Sequence, residues 1–109
     1  MTNKHGTEAT AKVTVYIDPD LADIVPGFLE NRRRDVQLLQ TALQQGDLQT
    51  IRVLGHRMKG DGGGYGFETI SEIGEALELA AVHEDRPAIE RQTVELNEFL
   101  TRLDVVYKK

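Results

Sequence analysis

The stretch His56-Arg57-Met58-Lys59-Gly60-Asp61-Gly62-Gly63-Gly64-Tyr65-Gly66 decides how this chain folds and what its surface can do. Upstream of it, Leu48, Ile51 and Leu54 join Met58 and Tyr65 at helical spacing, with Gly55 and Gly62 among them. At about 100° per residue these positions fill an arc of roughly 120° centred on Ile51, the width of a core stripe. His56 lies roughly 140° from that centre, and Gly60 lies roughly opposite it. The stripe is complete without the histidine, so the imidazole is expected to face water. Gln49, Arg52, Val53 and Gly63 share this outer half, and Lys59 flanks it. Residues three and four apart are neighbours on a helix surface, so His56, Lys59 and Gly60 form one small patch.

Glycine within a helix costs about 0.5–1 kcal/mol relative to alanine. This segment nevertheless carries Gly55, Gly60, Gly62, Gly63 and Gly64. Gly55 and Gly62 sit on the buried stripe and suit the close approach of a neighbouring helix. Gly60 and Gly63 sit on the outer face, where no packing within the chain calls for them. A cleared surface beside a histidine suits a second protein. The other reading of Gly62 onward is that the helix ends there and residues 62–66 form a loop.

The order His56-x-x-Lys59-Gly60, then Gly63 and Gly66, then a helix opening with Ile70, Ile73 and Leu77, resembles the histidine-containing phosphotransfer (HPt) domains of multistep phosphorelays. The likeness spans about residues 19–107. The resemblance implies that His56 is the phosphoacceptor, that Lys59 stabilises the phosphoryl oxygens and that Gly60 admits the partner. Gln49, Arg52, Val53 and Gly63 are then candidates for the docking surface. Response-regulator receiver domains and a hybrid sensor histidine kinase are the implied partners, with Mg²⁺ expected only on the receiver. The chain would be a phosphocarrier with a transient phosphohistidine, rather than an enzyme, and would need no cofactor of its own. Histidine suits the role because its unperturbed pKa, about 6.5, leaves the neutral nucleophile dominant at neutral pH. Asp61 departs from the family's usual small neutral residue. It projects roughly 140° away from His56, so little modulation is expected from it.

Composition is consistent with a small helical module. One domain and one core fit in 109 residues. The 39% hydrophobic and 28% charged fractions are ordinary for a soluble protein. The absence of cysteine excludes disulfides and thiolate metal sites and fits a cytoplasmic location. No apolar run approaches the roughly 18 residues of a membrane span, and the polar start Met1 to His5 lacks a signal-peptide pattern. A net charge of −5 gives no general attraction for nucleic acid. Arg32, Arg33 and Arg34 read as a solvated helix face, with steering of an acidic partner as the other option.

The remaining elements follow from periodicity and capping. Residues 1–9 read as a polar tail, and Lys12 to Ile17 as an extended arm with β-branched alternation. A lone strand has nothing to pair with, so it should lie along the bundle or mediate a dimer; a monomer is the default expectation. Asp18-Pro19 starts a short helix over about 19–25, and a longer one follows over about 26–45 with Phe28, Leu29, Val36, Leu39 and Leu43 inward. Gly46 stops it and Asp47 caps the next. A third helix runs from near Phe67 to Val82, burying Ile70, Ile73, Leu77 and Ala81. After a turn at His83 to Arg86 the last helix carries Ile89, Thr93, Leu96, Leu100 and Leu103. The expected fold is all-α: an antiparallel up-down four-helix bundle over 19–107, with a short extra N-terminal helix, preceded by a tail and arm over 1–18.

Other classes fit less well. A phosphate-binding loop needs its lysine after the glycines and before Ser or Thr, whereas Lys59 precedes them. The dinucleotide pattern has Phe67 where glycine is required. A histidine kinase needs an ATP-binding domain for which there is no room. His5, His56 and His83 lack metal-ligand spacing, so no metal site is expected. Two rivals remain open: a helical docking module that is never phosphorylated, and a dimeric bundle that transfers phosphate from paired histidines.

Overall fold

Four stretches of helical-period sequence form four α-helices in the computed structural model, which describes residues 11–109. They are α1 (Val25–Gln45), α2 (Leu48–Tyr65), α3 (Glu68–Val82) and α4 (Arg86–Arg102). The expectations for residues 1–9, His5 included, lie outside the described residues. Local chemistry sets the helix ends. Gly46 takes the left-handed conformation (φ 70°) that closes α1. Asp47 then opens α2, accepting the Thr50 N–H at 3.1 Å and the Thr50 hydroxyl at 2.6 Å. Gly66, at φ 89°, closes α2 only after Tyr65, so the helix continues through Gly62–Gly64 and the loop reading is set aside. Asp85 caps α4 through the Ala88 N–H at 3.1 Å.

The helices enclose one core. Val25, Leu39, Ile51, Met58, Ile70, Leu77, Ile89 and Leu96 are fully buried, and Phe28 stacks on Tyr65 and Phe67 with ring centroids 4.3 and 5.7 Å away. The α2–α3 pair is the tightest. A Cβ placed on Gly74 would lie 2.5 Å from Lys59 N and 2.7 Å from Gly55 O. One on Gly55 would lie 2.7 Å from Glu78 N, and one on Gly62 would lie 2.6 Å from Ser71 N. As residue numbers rise along α2 they fall along α3, so these two helices run in opposite directions. Only hydrogen in place of a side chain permits this spacing.

Three expectations need correction. The short helix over 19–25 is a single 3₁₀ turn, Pro19–Leu21, in which Asp18 Oδ1 accepts the Asp20 N–H at 2.9 Å. The N-terminal arm does have a partner. Strand β1 (Val13–Ile17) pairs in parallel with β2 (Leu103–Tyr107), in register from Val13 with Leu103 to Ile17 with Tyr107. Leu103 therefore begins a strand and does not close the last helix. Val105, Val106 and Tyr107 are strong β-formers, and β1 supplies the backbone partners that a helical continuation would have replaced. The protein is thus mostly helical with a small parallel sheet beside the bundle.

Arg32 provides the third correction, because it is buried instead of solvated. Its guanidinium carbon lies 4.9 Å from the Phe28 ring centroid, one turn back along α1. Its Nε lies 2.8 Å from Asp35 Oδ2, and its Nη1 lies 3.7 Å from Asp61 on α2. Burial pushes the Asp35 carboxyl above its ordinary value, against the pull of the Arg32 guanidinium.

Two stability measurements check this account. Gly74→Ala should cost about 1–3 kcal/mol through overpacking, although alanine is the better helix former. Gly60→Ala, whose Cβ meets nothing within 4 Å, should instead stabilise the protein; urea unfolding of the two variants reads the opposite signs. The second measurement concerns the α2 cap. Bonds from the Thr50 hydroxyl and backbone hold the Asp47 carboxyl below its usual range, so its stabilising effect is present at neutral pH and lost as pH falls through the folded value. The Tm difference between the native chain and Asp47→Ala should narrow below about pH 4 in thermal unfolding followed by circular dichroism.

Candidate functional site

His56 follows Gly55 in α2, and its side chain is 71% exposed. Its Nδ1 lies 3.0 Å from Glu78 Oε2 on α3, and the Glu78 side chain is only 21% exposed. A carboxylate can only accept, so Nδ1 donates in this contact, and Nε2 is the ring nitrogen that Glu78 leaves free. The close helix approach makes the contact possible. Glu78 stands one turn beyond Gly74, and Gly74 rests on Gly55, the neighbour of His56. A side chain at either glycine would push α3 outward and carry the carboxylate away from the ring.

The other residues expected at the site lie along the same side of α2. Lys59 Nζ is 3.9 Å from Glu75 Oε2, with both side chains about half exposed. Such an exposed pair is weak, which leaves the ammonium able to turn toward an incoming anion. The Lys59 carbonyl accepts the Ser71 hydroxyl at 2.7 Å, a further tie between α2 and α3. Added Cβ atoms at Gly60 and Gly64 would meet nothing within 4 Å, and one at Gly63 would meet only Ser71 Oγ at 4.0 Å. Toward the start of α2, the Arg52 Nε donates to Gln49 Oε1 at 3.4 Å. Gln49 is exposed, whereas Arg52 and Val53 are half-buried. Asp61 points to the α1 side, where it meets Arg32.

Sequence reasoning did not find Glu78, Glu75 or Ser71, nor the exposed apolar side chains Leu79 and Val82 on α3. The available signal was a glycine in each of two consecutive helices, Gly55 and Gly74, marking where the backbones meet. Glu78 then falls one turn after Gly74, on the side of α3 that meets His56.

The arrangement presents the His56 imidazole to solvent. Two hollows, one lined by Phe28, Arg32, Asp61 and Tyr65 and another by Gln40, Leu43, Glu90 and Thr93, lie away from His56, which lines neither. Among the described residues no three His, Asp or Glu side chains gather to hold a metal ion. His83 bonds through Nδ1 to the Leu79 carbonyl at 2.9 Å and so closes α3. Among the described residues no helix is long and apolar enough to cross a membrane.

The site thus holds an exposed imidazole with Glu78 at Nδ1, Lys59 one turn along and uncrowded glycines beside it. A family model for the Hpt domain matches residues 23–105. Neither the curated proteins nor the solved structures yield a significant match. With most of its length matched and a histidine displayed on the second helix, the chain belongs to the Hpt domain family, the histidine phosphotransfer modules of two-component phosphorelays.

Proposed function

We propose that His56 accepts a phosphoryl group from the phosphorylated aspartate of a receiver domain, within a relay fed by a hybrid sensor kinase, and passes it to another receiver. The observation that carries this reading is the contact between His56 Nδ1 and Glu78 at 3.0 Å on a ring that is otherwise open to solvent. In the transfer, the Nε2 lone pair forms the N–P bond as the P–O bond to the receiver aspartate breaks. The carboxylate leaves with the bonding electrons. The ring, now bonded to phosphorus and still protonated at Nδ1, becomes cationic. Glu78 faces that developing charge and keeps the ring oriented. Lys59 turns toward the phosphoryl oxygens. Gly60 and Gly63 act by lack of bulk, while Gln49, Arg52 and Val53 extend the docking face toward the start of α2. Receiver-bound Mg²⁺ acts on the aspartate side, and no cofactor is assigned to this chain. The same reading takes the four helices as an antiparallel up-down bundle working in the cytoplasm.

Incubation with receivers labelled on aspartate tests it. The native chain should acquire acid-labile, base-stable label, and His56→Gln should acquire none. Label on His56→Gln, or a chain that binds receivers without ever taking label, would favour a docking module instead. Glu78→Gln should slow acceptance about ten- to a hundredfold while the helical signal is kept, since a charge-assisted hydrogen bond is worth about 1.5–3 kcal/mol. Glu78→Asp should recover part of the rate and show a different pH profile from Glu78→Gln. Gly60→Leu should slow transfer without unfolding the chain; an unchanged rate would remove the steric role.

A further inference from the structure

Among the described residues, strand β1 has one paired edge and one open edge. The bond from the Lys108 N–H to the Ile17 carbonyl, 2.9 Å, together with the register of Ile17 with Tyr107, fixes which backbone groups face β2. They belong to Val13, Val15 and Ile17. Alternate residues of a strand direct their N–H and C=O groups to opposite edges, so Lys12, Thr14, Tyr16 and Asp18 direct theirs outward. Among the described residues, no backbone group bonds to Lys12, Thr14 or Tyr16 on that outer edge, whereas the Asp18 carbonyl already accepts the Leu21 N–H at 2.9 Å. Tyr16, at 64% exposure, is also the most exposed large hydrophobic residue described.

We propose that this edge pairs with the same edge of a second copy, antiparallel about a two-fold axis at Val15, joining two sheets into one of four strands. The register meets three independent requirements. Thr14 lies opposite the partner's Tyr16, and both direct their backbone groups outward, so they exchange N–H···O bonds in both directions. The exposed Tyr16 ring gains a β-branched neighbour across the strands, a favourable pairing. Lys12 falls opposite the partner's Asp18, so opposite charges meet twice across the axis. The equivalent pairing at the middle of β2, about Val105, would set Arg102 against Lys108, a like-charge pair. A two-stranded sheet is marginal by itself, and closing its edge removes a row of unpaired polar groups.

This inference does not depend on phosphotransfer. Ile17 packs at Gly66, where its Cδ1 lies 3.1 Å from the position of an added Cβ. That point is about 15 Å along the helix from His56, so pairing does not consume the histidine face.

Sedimentation equilibrium of the full chain tests the proposal, with a mass twice 12.2 kDa expected. Thr14→Pro removes an outward N–H while sparing the ladder to β2, a change that edge strands tolerate. It should yield a monomer with unchanged helical circular dichroism. Lys12→Asp should also shift the mass toward the monomer, and adding Asp18→Lys to it should restore the dimer. A native chain that sediments as a monomer throughout the micromolar range would overturn the proposal. So would a dimer whose mass neither Thr14→Pro nor Lys12→Asp changes, since that dimer would use another face. If Thr14→Pro unfolds, the charge-swap pair alone decides.

Discussion

The backbone contact between Gly55 and Gly74 sets the spacing on which the functional face depends. At that crossing α2 and α3 approach more closely than any side chain would allow. Each glycine weakens its own helix through backbone entropy, and the tight packing of the pair offsets that loss. The gain is positional. His56 is the next residue after Gly55, and Glu78 is one turn after Gly74, so the crossing brings a carboxylate to the inner nitrogen of an otherwise solvated ring. Ser71, bonded to the Lys59 carbonyl, secures the same pair of helices nearer the end of α2. Helix packing thus holds one nitrogen of the ring and leaves the rest of it in solvent.

Two groups of charges lie on different sides of α2 and differ in character. On the α1 side, Arg32 is buried between the Phe28 ring, Asp35 and Asp61, with little freedom and a raised Asp35 carboxyl. It joins α1 to α2 and keeps Asp61 occupied. On the α3 side, Lys59 and Glu75 are half exposed and loosely paired at 3.9 Å. Solvent screens them, and their side chains can rearrange when a more highly charged group arrives. Arg32 and Asp35 are desolvated on the α1 side, while Lys59 and Glu75 remain solvated on the α3 side.

Much of this was legible from residue order. The stripe through Ile51, Leu54 and Met58 placed the core side of α2, and the outward direction of His56 followed from it. Gly46 and Asp47 marked helix ends through chemistry that acts within three residues. The misreadings share one cause. Arg32 looked like one of three surface arginines because Phe28 and Asp35, its partners on the same helix, enclose it only once α2 supplies the other wall. Leu103 continued a helical period, yet β1, some ninety residues earlier in the chain, offers it a strand partner. Glu78 was invisible because the register between two helices is not written in either of them.

Periodicity, capping residues and glycine placement are local properties, and they were enough to define four helices, their buried faces and one outward histidine with room beside it. These features depend on steric and hydrogen-bonding preferences that act over a few residues. The carboxylate at Nδ1, the burial of Arg32 and the parallel pairing of the two chain ends came only with the tertiary structure. Each is an encounter between segments distant in sequence, and its geometry is set by how closely the backbones can pack.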